Sequence, residues 1–434
     1  MPSPHFESRL RERYLSLVQA HCGGSQDLAS GIHSLSEATP AFAVTRAASR
    51  FFHNERVTLR GLAQPLLQHV REEAPTACDR YLLIVHDWTP LSVGKHTRKK
   101  DRIALSHRKV PEGYNVQSAL AVSDRDGLPI APVAISLQAA DGVHCSRSFC
   151  VREPLSPLDE LDPAMSFVEQ QNLGLPTVHI IDAEADSVAH YREWSSRPGR
   201  VFLVRGDDRL VEHAGRERKC SVIQQELQAA RDFQFSRPVL YHGNAAHQFV
   251  AEVPVRLLRP GQRNRPNSDD RQRIAGAPLP LRLVISEVRS DGGDLLTTWL
   301  LLTNAPGQID ANTIALWYYW RWRTETFFKL LKSAGLNAEQ WQQESADAMT
   351  RRLLVACMAC VVVWRLARSE HPEAPAARQL LVRLSGRRMK SGVAHTMPAM
   401  MAGLWVLLAM LDALEHYSLD HLRSITQAIF GRPP

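Results

Sequence analysis

The sequence predicts an α/β fold: a mixed-sheet core between helical N- and C-terminal units, interrupted by a β-rich insertion. Short apolar strands alternate with helical stretches between residues 81 and 204, residues 209–306 alternate apolar and polar side chains with period two, and both ends of the chain read as helices. At 434 residues, 44% of them hydrophobic, the chain buries a large core and exceeds the usual size of one domain, which predicts several units.

Residues 1–78 form the first unit. Thr39-Pro40 offers a helix N-cap followed by proline for a segment running through Phe51 and Phe52, and Thr58 caps a second helix toward Glu73. Arg46, Arg50, Arg56 and Arg60 spread across the pair and suit a phosphate-contacting face or a solvated basic surface. Residues 79–208 hold the strands Tyr81–Val85, Tyr114–Val122 and Pro129–Leu137, the helix Leu158–Gln171, the strand Thr177–Ile181, the helix Ser187–Trp194 and the strand Arg200–Val204. In residues 209–306 the stretches Gln248–Leu258, Leu281–Val288 and Thr297–Thr303 read as strands, broken by the polar loop Arg263–Gly276. A long helix, Asn312–Ser333, falls within residues 307–345, and residues 346–434 make a C-terminal helical region.

Lys and Arg number 52 against 45 Asp and Glu, a formal charge of +7, which favours a polyanionic partner. The seven cysteines are odd in number and scattered, which predicts a reducing, cytoplasmic compartment; Cys357 and Cys360, inside the apolar run Leu353–Trp364, read as small core residues of a helix. Met1–Arg13 is polar and offers no secretory signal. The runs Leu353–Trp364 and Ala399–Leu411 fall short of the roughly 17 to 25 residues that span a bilayer, so both are expected as buried helices, with no membrane partner. No Gly-rich phosphate loop is present.

The helix around residue 320 carries the most information. At about 100° per residue, Tyr318, Arg321, Glu325 and Lys332 fall within about 60° of one another, while Trp317, Trp320, Phe327, Leu330 and Leu331 take the other side. The aromatic side is therefore expected to face the core. A carboxylate lined up with two cations and a phenol suits a solvated face, and it equally suits a metal-bound phosphodiester. Two aspartates end apolar strands: Asp87 in Ile84-Val85-His86-Asp87-Trp88-Thr89, and Asp182 in His179-Ile180-Ile181-Asp182. Each alone is an ordinary turn or cap residue.

The spacing Tyr318-x2-Arg321-x3-Glu325-x6-Lys332 resembles the Y-R-E-K signature of bacterial DDE-type cut-and-paste insertion-sequence transposases, the transposon-five-like group. Asp182-Ala183-Glu184-Ala185-Asp186 resembles that group's D-R-E-A-D box, with alanine where the family has arginine. The resemblance runs from Ala41 through Gly335 and implies an RNase H-like core formed by residues 79–208 and 307–345, with Asp87, Asp182 and Glu325 as catalytic carboxylates holding two Mg²⁺ or Mn²⁺ ions about 4 Å apart. It implies DNA contacts from Tyr318, Arg321 and Lys332, and stacking of a flipped base on Trp299; an ordinary core tryptophan is the alternative there.

The charged stretch Arg98, Lys99, Lys100, Arg102, Arg108 and Lys109 follows Asp87 closely and suits contact with the DNA backbone, with a solvated loop as the alternative; for Arg387, Arg388 and Lys390 the solvated surface is the favoured reading and DNA contact the alternative. The implied partners are terminal inverted repeats, target DNA and a second copy of the chain, the dimer forming through the C-terminal helices, in a cytoplasmic, nucleoid-associated setting. An RNase H-like nuclease that cuts without joining, or a catalytically silent DNA-binding regulator, are the other readings. Glu184 and Asp186 are expected to be structural.

Overall fold

The computed structural model describes residues 2–22, 46–94, 96–105, 112–147, 157–241, 243–264, 271–332, 335–390 and 392–431. The Thr39-Pro40 cap, Arg108 and Lys109 lie outside them.

A stretch of apolar side chains covered on both faces dictates a buried central strand. β1 (Leu82–Ser92) fits that pattern, with Leu82, Leu83, Ile84 and Val85 fully buried. It pairs antiparallel with β2 (Glu112–Ser123), which pairs antiparallel with β3 (Pro129–Ala139). On its other side β1 runs parallel to β4 (Thr177–Ile181), and β4 runs parallel to β5 (Val201–Gly206).

The later strands are β6 (Gln234–Tyr241), β7 (Asn244–Leu257), β8 (Leu279–Ser290) and β9 (Leu295–Thr303). They extend the same sheet: β9 pairs antiparallel with β5 through Leu300 and Gly206, and β8, β7 and β6 follow outward. Among the described residues the sheet reads Gly142–Cys145, β3, β2, β1, β4, β5, β9, β8, β7, then the hairpin formed by Leu210–His213 and Arg216–Lys219. The β-rich insertion thus continues the core sheet edge to edge. It also contains a helix the alternation pattern does not predict, Cys220–Ala230, seated by Cys220 and Ile223.

The helices are α1 (Ser8–Cys22), α2 (Leu59–Ala77), α3 (Leu161–Gln170), α4 (Val188–Ser195), α5 (Cys220–Ala230), α6 (Ala311–Trp320), α7 (Arg323–Leu331), α8 (Ala346–Arg368), α9 (Ala374–Leu384), α10 (Met397–His416) and α11 (Leu419–Phe430). Residues 46–52 are also helical. Thr58 caps α2 as its sequence predicts, its hydroxyl accepting from Gly61 N at 3.1 Å. Arg46, Arg50, Arg56 and Arg60 are exposed.

α8 is the central helix of the C-terminal region, buried along most of its length and packed on β3, α1 and α2. Cys357 and Cys360 are unpaired core thiols within it.

The second apolar run departs from its expectation. α10 is 20 residues long, enough by length and composition to cross a membrane, and only Ala399, Met400, Met401 and Gly403 are buried. Val406, Met410, Leu411 and Leu414 face outward, so α10 is not a buried helix: the apolar run continues beyond the stretch that α8 and α9 cover.

Candidate active site

The parallel pairing of three adjacent strands stops at one level, although β1 runs on to Ser92 along β2, so that Asp87 does not end its strand as the sequence predicts, and β5 runs on to Gly206. β1 and β4 last pair at His86 and Ile181, and β4 and β5 last pair at Ile181 and Val204. The next residues are Asp87, Asp182 and Arg205, so the register sets three charged groups in a row at one end of the sheet's centre. Side chains alternate across a strand, and Asp87 and Asp182 both reach the face covered by α6 and α7.

The predicted single helix Asn312–Ser333 is two. α6 stops at Trp320 and α7 starts at Arg323, with i→i+3 bonds at the joint from Arg321 N to Tyr318 O and from Thr324 N to Arg321 O. Arg321 and Trp322 keep right-handed helical angles (φ −50°, ψ −34° and φ −58°, ψ −12°), so the polar stripe carries across the break. Gly127, at φ +67° in the turn between β2 and β3, lies so close to Trp320 that a Cβ there would stand 2.4 Å from the indole, which anchors the end of α6.

The first half of the stripe is buried, while Glu325 and Lys332 are partly exposed. Tyr318 and Arg321 are 1% and 6% exposed, as buried as the aromatic side of the helix. Burial of a guanidinium demands partners, and it has two: Arg321 Nη1 is 3.1 Å from Asp87 Oδ2, and Nη2 is 3.3 Å from Asp182 Oδ2. Tyr318 donates to Asp182 Oδ1 at 3.0 Å. Each aspartate also accepts from the next backbone amide, Trp88 N at 2.8 Å and Ala183 N at 2.7 Å. Lys332 donates to Thr89 on β1. Arg205, half exposed, stands 4.0 Å from Asp182 Oδ1.

Burial pushes the Asp87 carboxyl up to about 6 despite Arg321 and the Trp88 amide, with Asp182 and Glu325 adding to the rise. Burial is the main cause, and a cation placed beside the carboxylate would stabilise its charged form. Burial first, then Asp182, raises the Tyr318 phenol, which therefore stays a donor. Oxygen-only donors suit Mg²⁺ or Mn²⁺. The geometry differs from a ready metal triad, however: among the described residues no three His, Cys, Asp or Glu side chains are gathered so as to hold an ion. The guanidinium of Arg321 stands between the two aspartates, and Glu325, in the first turn of α7, is directed to an adjoining cavity.

That cavity, about 600 Å³, is lined by Arg205, Trp299, Tyr319, Trp322, Glu325 and Lys329 among others. Trp299 is 6% exposed and packs edge-on against Tyr318 at 5.5 Å, so most of it is core, with a remaining edge on the cavity. Trp322 is the exposed aromatic there.

The basic stretch after β1 does not act as one surface. Arg98 is exposed and lies 3.5 Å from Glu344, and Lys100 is exposed. Lys99 is buried, donating to the Gln343 carbonyl and to Met349 Sδ at 3.6 Å, and burial pulls its ammonium down to about 8. The expectation that Lys99 reaches DNA is corrected on that ground: its charge serves the interior. Arg102 pairs with Glu112 at 2.9 Å. Asp186 of the second box is structural, as expected, accepting from Tyr191 Oη at 2.5 Å, Asp207 N at 2.7 Å and Arg209.

Three features escaped the sequence reading: Arg205, Trp322 and a buried histidine pair under the aspartates. Arg205 carried a usable signal, the first charge beyond the apolar run of β5, as Asp87 and Asp182 are the first beyond those of β1 and β4. Exposure of Trp322 follows from the helix break, which no glycine or proline announces.

No family model and no curated protein matches this chain. Among solved structures it is similar to the piggyBac transposase in a synaptic complex with hairpin DNA, at 10% identity and a TM-score of 0.38, over 94% of this chain and 73% of that one. A likeness this distant transfers no activity to this chain.

Proposed function

We propose that the chain is a DDE-type transposase with an RNase H-like core, cutting and joining DNA where the pairing of β1 with β4 stops. The observation that carries this is the docking of the Tyr318-Arg321-Lys332 stripe there, with Arg321 spanning Asp87 and Asp182. The order β3, β2, β1, β4, β5, with β1, β4 and β5 parallel, supports the RNase H-like reading.

In this reading Asp87, Asp182 and Glu325 would hold two Mg²⁺ or Mn²⁺ ions, and the chemistry such ions would supply when bound is activation of a water or DNA 3′-hydroxyl and stabilisation of a leaving oxygen. Arg321 bridges the two acids and screens their mutual repulsion before DNA arrives, then turns its planar fork to the scissile phosphate, which clears the space between the two carboxylates. Lys332 contributes a second cation to phosphate oxygens, and Tyr318 keeps Asp182 oriented. Trp299 and Trp322 offer ring surfaces in the cavity to an unstacked base, with Arg205 and Lys329 near its phosphate. Arg98 and Lys100, and the Arg387, Arg388 and Lys390 group, contact the duplex backbone, and Arg205 supplies near Asp182 the positive charge that Ala183 lacks. The protein works as a homodimer on two DNA ends, in the bacterial cytoplasm.

A silent DNA-binding regulator is the second reading, favoured by the guanidinium that already neutralises both aspartates. Incubating the full-length protein with DNA bearing the ends of its own element, in Mg²⁺ or Mn²⁺, decides between them. Nicks and joined strands, both lost in Asp182→Ala, support the transposase. Nicks without joining indicate a nuclease, and binding without cleavage in either metal indicates the regulator.

A further inference from the structure

Below Asp87 and Asp182, on the opposite face of the sheet, two histidines share a hydrogen bond. His86 Nε2 and His179 Nδ1 are 2.8 Å apart, and both rings are fully buried. His86 immediately precedes Asp87, and His179 sits three residues before Asp182; in the register of β1 and β4 His179 pairs with Ile84 and His86 with Ile181. The bond therefore crosses diagonally between the strands at their last paired step. Beyond that step no ladder bond fixes how far the two aspartates stand apart.

The chain of contacts continues outward. His179 Nε2 is 3.3 Å from Glu169 Oε1 on α3, and Glu169 is gripped by Arg200, just before β5, at 2.7 and 2.9 Å. Arg200 also binds Asp162 and, at 2.9 Å, Ser166. His179 Nε2 faces the Glu169 carboxylate without completing an aligned hydrogen bond; the nearby negative charge favours the tautomer with the proton on that nitrogen, in which His179 Nδ1 accepts and His86 Nε2 donates. His86 Nδ1 is left as a buried acceptor with no hydrogen-bond partner. Ring-to-ring contact thus depends on a single donor atom of His86.

An apolar pair would fill this space with no desolvation cost, so the polar pair is not there for stability alone. A hydrogen bond sets a distance that apolar packing leaves soft. We propose that His86 and His179 are positioning residues, whose hydrogen bond fixes the separation of Asp87 and Asp182 where the pairing of β1 with β4 stops. The consequence for catalysis rests on the function proposed above; the geometric claim does not.

Three full-length variants test this. H86Q keeps a donor where His86 Nε2 stands, H86L removes it and leaves His179 Nδ1 unpaired, and H86L/H179L removes the pair without leaving an orphan. The double variant is expected to melt at or above the wild-type temperature, with cleavage kcat down roughly ten- to hundredfold and the KM for DNA unchanged, since a displacement of about 1 Å at a reacting centre has that effect. H86Q is expected to regain most of the rate that H86L loses. Crystal structures of the DNA-free double variant and wild type supply a readout independent of activity: Arg321 is expected to lose one of its two carboxylate contacts in the variant. A folded double variant with both contacts and the wild-type kcat overturns the proposal. If the wild type cuts no DNA, the catalytic reading fails and the crystallographic comparison still decides the positioning claim.

Discussion

The α6–α7 helix pair and the loop from His96 to Arg102 both carry cations that the sequence marks for DNA, yet the structure uses them in opposite ways. On the helices Arg321, Glu325 and Lys332 are spaced to fall on one stripe, and the stripe lands on the centre of the sheet: Arg321 on the Asp87 and Asp182 carboxylates, Lys332 on the Thr89 hydroxyl. In the loop, neighbours in sequence go to different places, with Arg98 and Lys100 outside and Lys99 inside against Gln343. Helical periodicity turns sequence spacing into direction, whereas a loop has no such rule, and its charge run is no guide to a shared surface.

The largest expected effect that separates the two regions is on the helix side. Replacing Asp182 or Asp87 by Ala is expected to abolish Mg²⁺-dependent cleavage while leaving a Ca²⁺-supported gel shift in place; a variant that still cuts would detach the stripe from the chemistry. Next, Arg321→Ala is expected to slow single-turnover cleavage by about 100-fold, the order seen when one charge-stabilising donor is removed. A rate within twofold of wild type would leave Arg321 as a structural counter-ion only.

On the loop side, Lys99→Met orphans the buried Gln343 carbonyl and is expected to lower stability by about 1–3 kcal/mol in urea melts, with the salt dependence of DNA binding unchanged. Lys100→Ala is expected to do the reverse, leaving stability alone and reducing the slope of log affinity against log salt by about one. If Lys99→Met reduced that slope instead, the burial that divides the loop would be wrong.

A smaller effect concerns Asp87 in the metal-free, DNA-free protein. Its folded carboxyl is raised from 3.8 to about 6, so between those values the folded state binds more protons than the unfolded state. Stability from this group therefore falls as pH rises from about 4 to about 6, and levels off above. Denaturation midpoints of wild type minus Asp87→Asn, followed across that window, are expected to show this slope; a flat difference would place Asp87 in a more solvated setting.

The strands were legible because strands buried on both faces are written as apolar runs: Thr177–Ile181 matches its expectation residue for residue, and Pro129–Ala139 within two. The stripe was legible because its four residues depend on local geometry that the break at Arg321-Trp322 hardly disturbs. The break itself was not, and neither was the exposed Trp322. α5 was hidden by its β surroundings, although Cys220, Ile223 and Leu227 recur at helical spacing. What covers α10 depends on neighbours far along the chain, so its composition alone misread as core. The Arg321 bridge was out of reach for a related reason: helix spacing tells which residues share a side, but not whether that side meets water, a metal or two aspartates.

The most direct test of the central claim is a calorimetric titration of Mn²⁺ into the full-length protein bound to duplex DNA, beside Asp182→Asn and Glu325→Gln. Two ions bound per chain in the wild type, with binding lost or strongly weakened in both variants, is the predicted result. Equal Mn²⁺ binding in all three proteins, or none in the wild type, would contradict the assignment of these carboxylates as one metal site.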